Sequence, residues 1–378
     1  MTLASIRVSR FVPFAATALV ALAGLAIAGP LTPPPGAVSS SYKTLGEVEP
    51  RIAINLTNTP GDANSVFLIS SPGAYYLTGN VTGVSGKHGI EITAAGVSVD
   101  LNGFELVGTP GSLDGVSVTG VGVANIAVRN GSLRSWGGEG VDTGFVNALS
   151  CTVENIRASF NGGVGVSVGS GSTISGCTAH NNSSAGLGGG SGSIISGCAS
   201  RDNLGHGIYI GIGGSVMQCA SNSNSLNGIN TNGGAVVQGC TAASNAQNGI
   251  VGSTGATISG CSVRANVLNG ITGVFQCVIT GNNCTTNGSG GDGAGILVTA
   301  SGNRIESNNC SNADRGVDVD ASGNIIIKNM CKDNTVNWSF VAGNAYGPII
   351  ATPAGAAVNG NTAVSALGTT DPNANFTY

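Results

Sequence analysis

Charged side chains are scarce in this sequence: Asp, Glu, Lys and Arg together make up only 8% of its 378 residues. A typical globular domain carries about 25% charged residues. Aromatic residues are also few, at 4%, whereas 63 residues are glycine. A disordered chain would be poor in apolar residues as well, but 41% of this sequence is apolar. The composition therefore predicts a folded chain with many tight turns and few helices.

Several kinds of partner are disfavoured by what the sequence lacks. The formal net charge of −4 gives no reason to expect nucleic acid or an anionic membrane as a partner. After residue 28, no apolar run approaches the roughly 20 residues that a membrane-spanning helix needs. The sequence contains no C-x-x-C pair, and zinc sites use such clustered ligands. We therefore expect neither a membrane span in the mature chain nor a zinc centre.

The first residues resemble a secretory signal peptide. Arg7 and Arg10 form a basic start, residues 11–27 are apolar and small, and Ala26-Ile27-Ala28 has the pattern of a cleavage site. The sequence thus predicts a signal peptide at residues 1–28 and a Pro-rich linker at 29–41. The mature protein is expected to be exported, to an extracellular, periplasmic or cell-surface location where disulfides are permitted.

A short repeat of constant period dominates the centre of the chain, and such regular self-similarity indicates a solenoid. Each repeat contains a cysteine and, three positions before it, an apolar residue. Side chains of a strand alternate between its two faces, so these two cannot both face inward from one strand. We therefore expect a bend at the glycine that lies between them. Each coil then has three short strands and three turns, and coils stack about 4.8 Å apart. Asparagine is expected to take a left-handed turn position, and the glycine nine residues after each cysteine a positive φ. The predicted structural ladders are the evenly spaced Cys177, Cys198, Cys219, Cys240 and Cys261, and Asn182, Asn203, Asn224, Asn245 and Asn266.

The repeated pattern of Ile258-Ser259-Gly260-Cys261 through Asn269-Gly270-Ile271 resembles the right-handed parallel β-helix proteins of the pectin-lyase-like superfamily. Residues 72–77 and 99–103 look like the first coils of secreted bacterial members. The resemblance implies an all-β fold, a single right-handed parallel β-helix over residues 66–345. We expect about eleven coils of roughly 21–26 residues, an N-terminal cap at 42–65 and a C-terminal cap or tail at 346–378.

The cysteine ladder allows more than one interpretation. Inward-facing free thiols that act as small hydrophobic side chains are favoured. Disulfides between rungs stay open, since the rung spacing lies within the permitted Cα separation. A straight ladder does not supply the tetrahedral ligand set that zinc requires. Cys277 falls outside the ladder, and the sequence does not place it.

Two charged segments are candidate sites, because the central coils are almost free of charge. The first segment is residues 129–157. Stacking of the coils could gather its charged side chains on one face, with Trp136 as a sugar-stacking platform, although a solvated turn face is the alternative. In the second segment, residues 314–320, alternation with valine predicts outward carboxylates, which could bind sugar or calcium or be ordinary exposed polar positions. The weak catalytic candidates are Arg134, Glu139, Asp142 and Arg157, accompanied by Arg129 and Glu154. The weak binding candidates are Trp136, Asp314, Asp318 and Asp320, accompanied by Arg315.

No catalytic set can be recognised in the sequence. Gly205-His206-Gly207 resembles a motif of polygalacturonase-like glycosidases in the superfamily, but the adjacent Asp pair and the R-x-K are missing, so His206 is expected to be a turn residue. We therefore expect an exported, non-catalytic solenoid that binds glycans or is a structural component of the surface or envelope. The alternative is a polysaccharide lyase or epimerase that acts on an acidic polysaccharide. No cofactor is expected, apart from Ca²⁺ if the carboxylates bind one.

Overall fold

The computed structural model describes residues 49–120, 122–144, 148–288, 291–351 and 369–378. The predicted signal peptide at 1–28 and linker at 29–41 lie outside these residues. So do residues 42–48 of the predicted N-terminal cap and 352–368 of the predicted C-terminal tail. All described strands lie in one unit, Pro50–Tyr378.

The described chain is a stack of short strands, numbered β1 to β39 along the sequence, that pair in parallel in two sheets. The first is the thirteen-strand sheet, to which each coil contributes one strand. Its strands are β2 (Ser65–Ile69), β5 (His88–Ile92), β8 (Val116–Val118), β10 (Val141–Asp142), β12 (Val166–Val168), β15 (Leu187–Gly189), β18 (Ile208–Ile210), β21 (Ile229–Thr231), β24 (Ile250–Gly252), β27 (Ile271–Gly273), β30 (Ala294–Val298), β33 (Arg315–Val319) and β36 (Val336–Phe340).

The second sheet, called the bent sheet below, has 26 strands, and most coils contribute two of them. Its strands are β1 (Ile52–Ile54), β3 (Gly73–Leu77), β4 (Val81–Thr82), β6 (Val97–Asp100), β7 (Glu105–Val107), β9 (Ala127–Arg134), β11 (Thr152–Ser159), β13 (Thr173–Ser175), β14 (Thr178–His180), β16 (Ile194–Ser196), β17 (Ala199–Arg201), β19 (Ser215–Met217), β20 (Ala220–Asn222), β22 (Val236–Gln238), β23 (Thr241–Ala243), β25 (Thr257–Ser259), β26 (Ser262–Arg264), β28 (Val278–Thr280), β29 (Asn283–Thr285), β31 (Arg304–Glu306), β32 (Asn309–Ser311), β34 (Ile325–Ile327), β35 (Met330–Lys332), β37 (Ala345–Tyr346), β38 (Ile349–Ala351) and β39 (Asn375–Thr377).

The bend in this sheet lies where the repeat predicts it. Gly176 has a φ of 60° between β13 and β14, a left-handed conformation that glycine adopts without strain. In the earlier coil, β11 is continuous through the bend and pairs with both β13 and β14. The prediction of three strands per coil is therefore confirmed, with two on the bent sheet and one on the thirteen-strand sheet.

The predicted all-β, single right-handed parallel β-helix is confirmed, but it has about 14 turns rather than about eleven. The regular repeat does not reach the N-terminal coils, which lack the cysteine column. In the regular repeat, we call the glycine nine residues after each cysteine the ladder glycine. The corresponding glycines of the N-terminal coils, Gly89, Gly115, Gly140 and Gly165, lie further apart along the chain. Without the columns, the sequence offers little to delimit single coils.

The asparagine ladder is an internal chain of amide hydrogen bonds, so its predicted role as the left-handed turn residue is wrong. Asn203 is fully buried, and its Nδ2 donates to Oδ1 of Asn224 at 3.0 Å. The positive φ belongs to the residue before, as at Asp202, with a φ of 55°. The prediction for the glycine column is also wrong. Gly207 has no positive φ, and a Cβ there would lie 2.7 Å from the carbonyl oxygen of Gly228 on the next rung.

All ten cysteines are buried, free thiols in the structure. The Sγ of Cys198 donates to the carbonyl oxygen of Ser196 at 3.2 Å, so the turn supplies a partner for the thiol. Cys277 belongs to a different column, at the turn after the thirteen-strand sheet. Its backbone N–H donates to Oδ1 of Asn303, whose own N–H donates to Asn324, each at 2.8 Å. A polar side chain therefore caps these C-terminal turns, whereas Gly214, Ala235 and Ala256 occupy the same corner in the regular coils.

Strands formed by the flanking segments extend the two ends of the bent sheet. At the N-terminal end, β1 lies within the predicted cap and pairs with β3, with Ile52 opposite Tyr75. At the C-terminal end, β39 pairs with β35 and β38. Asn375 there accepts the backbone N–H of Asn329 at 2.9 Å, so the end of the described chain continues an internal ladder.

Candidate functional site

The outer face of the thirteen-strand sheet carries a column of side chains that lie in register from coil to coil. Glu91, Ser117, Asp142 and Ser167 follow one another as direct neighbours on β5, β8, β10 and β12. Strand alternation directs them outward, because the valines and isoleucines on either side fill the core. Yet Glu91, Ser117 and Ser167 are only 7%, 3% and 5% exposed. The outward column is therefore largely shielded from solvent in these coils.

Long connections flank this part of the sheet. Eight residues separate β8 from β9 and nine separate β10 from β11, whereas only four separate β12 from β13 in the next coil. On the opposite edge, the eight residues 108–115 connect β7 to β8, whereas six connect β14 to β15. The coil of β8 thus has long connections on both edges, whereas the coil of β10 has one on a single edge, since only six residues join β9 to β10.

A second group of polar side chains lies where the chain enters these strands. His88, Asp114 and Glu139 each precede the ladder glycine of successive coils. Nδ1 of His88 lies 3.2 Å from Oδ2 of Asp114. Oδ1 of Asp114 accepts the backbone N–H of Glu139 at 2.7 Å. These residues and the outward column form one group, which we call the acidic cluster: His88, Glu91, Asp114, Glu139 and Asp142.

Two carboxyl groups of the acidic cluster have opposite electrostatic environments. Burial raises the pKa of Asp114, but hydrogen bonds from His88, the Glu139 amide and Ser117 outweigh it and leave the pKa below the usual value. For Glu139, burial and the neighbouring charges of Asp142 and Asp114 raise the pKa to about 8. At neutral pH the cluster therefore holds an ionised Asp114 beside a protonated Glu139. Carboxyl groups with pKa values forced apart in this way are typical of acid–base sites.

Two carboxyl oxygens of the acidic cluster are buried without a hydrogen-bond partner, Oε2 of Glu91 and Oε2 of Glu139. The other oxygen of Glu91 is satisfied, because Thr119 Oγ1 donates to Oε1 at 2.6 Å. Buried polar atoms nearly always have partners, and leaving one unpaired costs about 1–3 kcal/mol. Within the described residues, both oxygens therefore lack a donor, as do Oδ1 of Asp318 and Oδ1 of Asn309.

The sequence left open that Glu139 and Asp142 share one face with four other charged residues, and the structure does not bring the six together. Arg129, Arg134, Glu154 and Arg157 lie on the bent sheet, in β9 and β11. The two earlier arginines bind other acids there: Nε of Arg134 lies 2.7 Å from Oε1 of Glu105, and Nε of Arg129 lies 3.4 Å from Oδ2 of Asp100. Each coil turns between the two sheets within these segments, so proximity in sequence does not place the residues on one face.

Trp136 is not a sugar-stacking platform, because it is only 1% exposed. Its Nε1 donates to the carbonyl oxygen of Leu106 at 3.2 Å, and its backbone N–H donates to Oδ1 of Asn161 at 3.1 Å. Trp136 thus occupies the first position of the asparagine column. Glycines make room for the indole, since a Cβ at Gly89 would lie 2.7 Å from the ring.

The second predicted segment forms a smaller group on the same outer face, about eight rungs away. The prediction that Asp318 is exposed is wrong: the residue is 1% exposed, because Arg315 packs against it with Nη1 2.7 Å from Oδ2. Nη2 of Arg315 lies 2.6 Å from Oδ1 of Asp292. Asp314 holds the preceding loop, since its Oδ2 accepts the backbone N–H of Gly291 at 2.8 Å. Asp320 is exposed as predicted.

Sequence reasoning missed three members of the acidic cluster, His88, Glu91 and Asp114. A signal was present, because a polar side chain recurs before each ladder glycine of these coils and again at the second residue after it. Aligning the N-terminal coils on Gly89, Gly115 and Gly140 would have superposed these positions.

Neither a metal centre nor a membrane-spanning helix is found in the part of the chain that the structure describes. No three or more His, Cys, Asp or Glu residues are grouped there so that they could hold a metal ion. No helix there is long and apolar enough to cross a bilayer. A wide recess of about 540 Å³ runs along the bend of the bent sheet, past Met217, Gln218 and Gln238. It is lined by no titratable side chain, so it offers neither an acid nor a base.

Residues 88–271 match the family model of the right-handed beta helix region. The A-module of the mannuronan C-5 epimerase AlgE6 from Azotobacter vinelandii superposes with a TM-score of 0.58 at 16% identity, covering 74% of this chain and 91% of that one. The corresponding AlgE4 module gives a TM-score of 0.57 at 15% identity, covering 73% and 91%. No curated protein matches the chain in sequence.

Phage tailspikes have a similar fold. A tailspike mutant of E. coli bacteriophage HK620, in complex with a pentasaccharide, superposes with a TM-score of 0.54 at 14% identity. The match covers 70% of this chain and 60% of the tailspike chain. At such identities the likeness shows the fold, and function has to be argued from the site.

Proposed function

Because the chain is a right-handed parallel β-helix protein, we propose that it binds a polysaccharide along the outer face of its thirteen-strand sheet. The observation that carries this proposal is the acidic cluster, where two buried carboxyl oxygens, on Glu91 and Glu139, have no partner. Sugar hydroxyl groups are hydrogen-bond donors that could satisfy such oxygens. The named substrate of the epimerases and the pentasaccharide in the tailspike complex add support by analogy.

A neutral polysaccharide fits this face better than an acidic one. In the described outer columns, Arg315 is the one Arg or Lys, and it contacts the carboxylates of Asp292 and Asp318, whereas the His88 imidazole lies against Asp114. Uronate groups would face like charge there, and such juxtaposition is costly. A lyase or epimerase that acts on an acidic polysaccharide needs positive charge to hold the uronate. The acidic members of these columns are Glu91, Asp114, Glu139, Asp142 and Asp318.

Tyr209 provides an aromatic surface in the same outward column, two rungs beyond Ser167. It is half-buried, and its hydroxyl accepts Nδ2 of Asn232 at 2.7 Å. Aromatic rings supply much of the apolar contact area at binding sites. A glycan that runs from the acidic cluster along the column would cross this ring.

Affinity electrophoresis in gels that contain neutral or uronate polysaccharides tests the proposal. At least one neutral polymer should retard the protein, and Tyr209→Ala should weaken this retardation several-fold through the lost contact. Phe160→Ala is the matched control, because Phe160 is an exposed ring outside the outward column, in edge-to-face contact with His180. Retardation by uronate polymers alone, or equal effects of the two variants, would contradict the proposal. If no polysaccharide binds, a purely structural role remains.

We also propose that the protein is exported, with the polysaccharide outside the cytoplasm. The support is the pattern of residues 1–28, namely the basic start, the apolar run and Ala26-Ile27-Ala28. N-terminal sequencing of the protein recovered from culture medium or periplasm should begin at Gly29. An intact N-terminus on cytoplasmic protein would contradict export.

A further inference from the structure

We propose that a recess beside Tyr209 is a subsite for one neutral sugar ring of the polysaccharide, which packs on Tyr209 and Ile212 and hydrogen-bonds with Asn232. The subsite rests on the polysaccharide binding proposed above, and it adds where a sugar unit is held and which chemical kind of unit fits. The recess has a volume of about 320 Å³ and opens to solvent at the edge where the chain leaves β18.

Two glycines that line the recess cannot carry a side chain. A Cβ at Gly190 would lie 2.7 Å from the carbonyl carbon of Gly169, and a Cβ at Gly211 would lie 2.6 Å from that of Gly190. Contacts this short with backbone atoms leave no room for even a methyl group. The close stacking of the turns therefore keeps the recess open at both positions.

The turn beside the recess departs from the repeat. After the thirteen-strand sheet, the two preceding coils have Gly-Ser-Gly at residues 169–171 and 190–192, whereas this coil has Gly-Ile-Gly at 211–213. Ile212 is 64% exposed, so an apolar side chain replaces a polar one without gaining a place in the core. A single exposed isoleucine would need no explanation, but this one lines the same recess as the ring of Tyr209. Together the two side chains form an apolar wall.

The ring of Tyr209 is held from one side and uncovered on the other. Its hydroxyl accepts Nδ2 of Asn232 on the next coil at 2.7 Å, and the backbone N–H of Asn232 donates to the carbonyl oxygen of Ile210 at 3.0 Å. On the preceding rung, the register neighbour of Tyr209 is Gly188, where a Cβ would meet only Val164, at 3.9 Å. That rung thus places no outward side chain against the ring. A ring fixed before binding loses little conformational entropy when a ligand packs on it.

The chemistry of the lining suits a neutral sugar. A sugar ring has C–H groups on its faces, which pack on aromatic and aliphatic side chains, and hydroxyl groups on its rim, which need donors and acceptors. Asn232 supplies an amide, and Ser170 and Ser191 supply hydroxyls. None of the described residues that line the recess is charged, so a uronate group would find no cation there. The wider recess on the bent sheet has no aromatic side chain in its lining.

The recess also lies on the path proposed for the polysaccharide. Two rungs, or about 10 Å, separate Tyr209 from Ser167, the register neighbour of Asp142. One chain of several sugar units can therefore contact both places. Linked contacts strengthen binding beyond either contact alone, so a polymer should bind more tightly than its free monosaccharide.

Removal of single contacts tests the subsite in affinity gels that contain β-glucan, xylan, galactomannan or dextran. Ile212→Ser and Asn232→Ala should each weaken retardation by the neutral polymer several-fold, because they remove the apolar wall and the amide. The matched controls on the bent sheet are Ile194→Ser, at an isoleucine that is 39% exposed, and Asn222→Ala, at a half-buried asparagine. Both controls should keep the wild-type retardation.

Filling the recess is a test that leaves the core untouched. Ser191 is exposed and lines the recess, so Ser191→Leu should occupy the space of the sugar and weaken retardation roughly tenfold with an unchanged unfolding midpoint. Ser262→Leu, at an exposed serine of the bent sheet, is the control. Wild-type retardation in Ser191→Leu and Ile212→Ser would overturn the subsite and leave the binding proposal standing. Absence of retardation by every neutral polymer would overturn both.

A fluorescent reporter tests the position of the sugar directly. Tyr209→Trp keeps an aromatic surface, and saturation with the retarding polymer should shift its emission to shorter wavelength and protect it from acrylamide, because a packed sugar excludes water from the indole. The wild type should show neither change, since Trp136 is 1% exposed and Trp338 is hydrogen-bonded to Thr377 in the last coil. Binding of the polymer without a change in the emission of Tyr209→Trp would overturn the placement.

Discussion

The most informative single residue is Glu139, because its surroundings favour the protonated form of a side chain that would normally be ionised. Burial and two neighbouring carboxylates raise its pKa from 4.5 to about 8. In the unfolded chain the same group ionises near its ordinary value. The folded state therefore binds this proton more tightly than the unfolded state, and the stability of the protein becomes linked to pH at this position.

Glu139→Gln should stabilise the protein in alkaline solution. The favourable contribution of the wild-type group is fully present below about pH 4.5 and is lost as the pH rises to about 8. Glutamine does not ionise, so the variant should gain on the order of 4 kcal/mol relative to wild type at pH 8, and almost nothing at pH 4. Urea unfolding at a series of pH values measures this difference. An equal offset between variant and wild type at every pH would contradict the raised pKa.

Residue identity alone did not disclose the roles of Trp136 and Asp318. Tryptophan and aspartate are common at sugar-binding surfaces, but Trp136 fills the head of the asparagine column and Asp318 lies beneath Arg315. In a solenoid, the role of a side chain depends on which inner or outer column it joins. That assignment requires the register of every preceding coil.

At the scale of the structural element, the ladders hold successive coils together. Asn224 donates from Nδ2 to Oδ1 of Asn245, and its own Oδ1 accepts from Asn203, both at 3.0 Å. It is 1% exposed, so no solvent replaces a lost partner. Each amide thus satisfies the turn above and the turn below, which explains why asparagine recurs at the same position of every regular coil.

Asn224→Ala should destabilise the protein by about 1–3 kcal/mol per group left unsatisfied, because buried partners on both neighbouring rungs lose a hydrogen bond. Asn230→Ala in the same coil is the matched control, since Asn230 lies half-buried in the outward column and should cost much less. The midpoints of denaturant unfolding compare the two. A loss for Asn230→Ala as large as for Asn224→Ala would contradict the ladder as a stabilising element.

At the scale of the whole molecule, the sequence predicts the fold far better than the site. The regular repeat specifies the bend, the ladders and the parallel stacking, because each coil repeats the same local requirements. The coils from Gly89 to Gly165 are longer than those of the repeat and have no cysteine column, so neither their number nor their register follows from the pattern. The acidic cluster is assembled from His88, Asp114 and Glu139 in those coils, which explains why only part of it was found.

The regular coils and the cluster divide the molecule into two parts with different requirements. From Cys177 to Cys261, identical neighbours stack with short turns and leave few charges on the surface. Near Glu91 and Asp142, some connections are longer and the outward column carries carboxyl groups. Departure from the repeat, rather than the repeat itself, thus marks the position of the proposed function.

The most direct test of polysaccharide binding at the acidic cluster is a crystal structure of the protein soaked with the neutral oligosaccharide that it binds. The sugar should lie on the outer face of the thirteen-strand sheet, across the rungs of Glu91, Asp142 and Ser167. A sugar hydroxyl should lie within hydrogen-bond distance of Oε2 of Glu91 or Glu139. A sugar bound on the bent sheet, or one that contacts neither glutamate, would contradict the account.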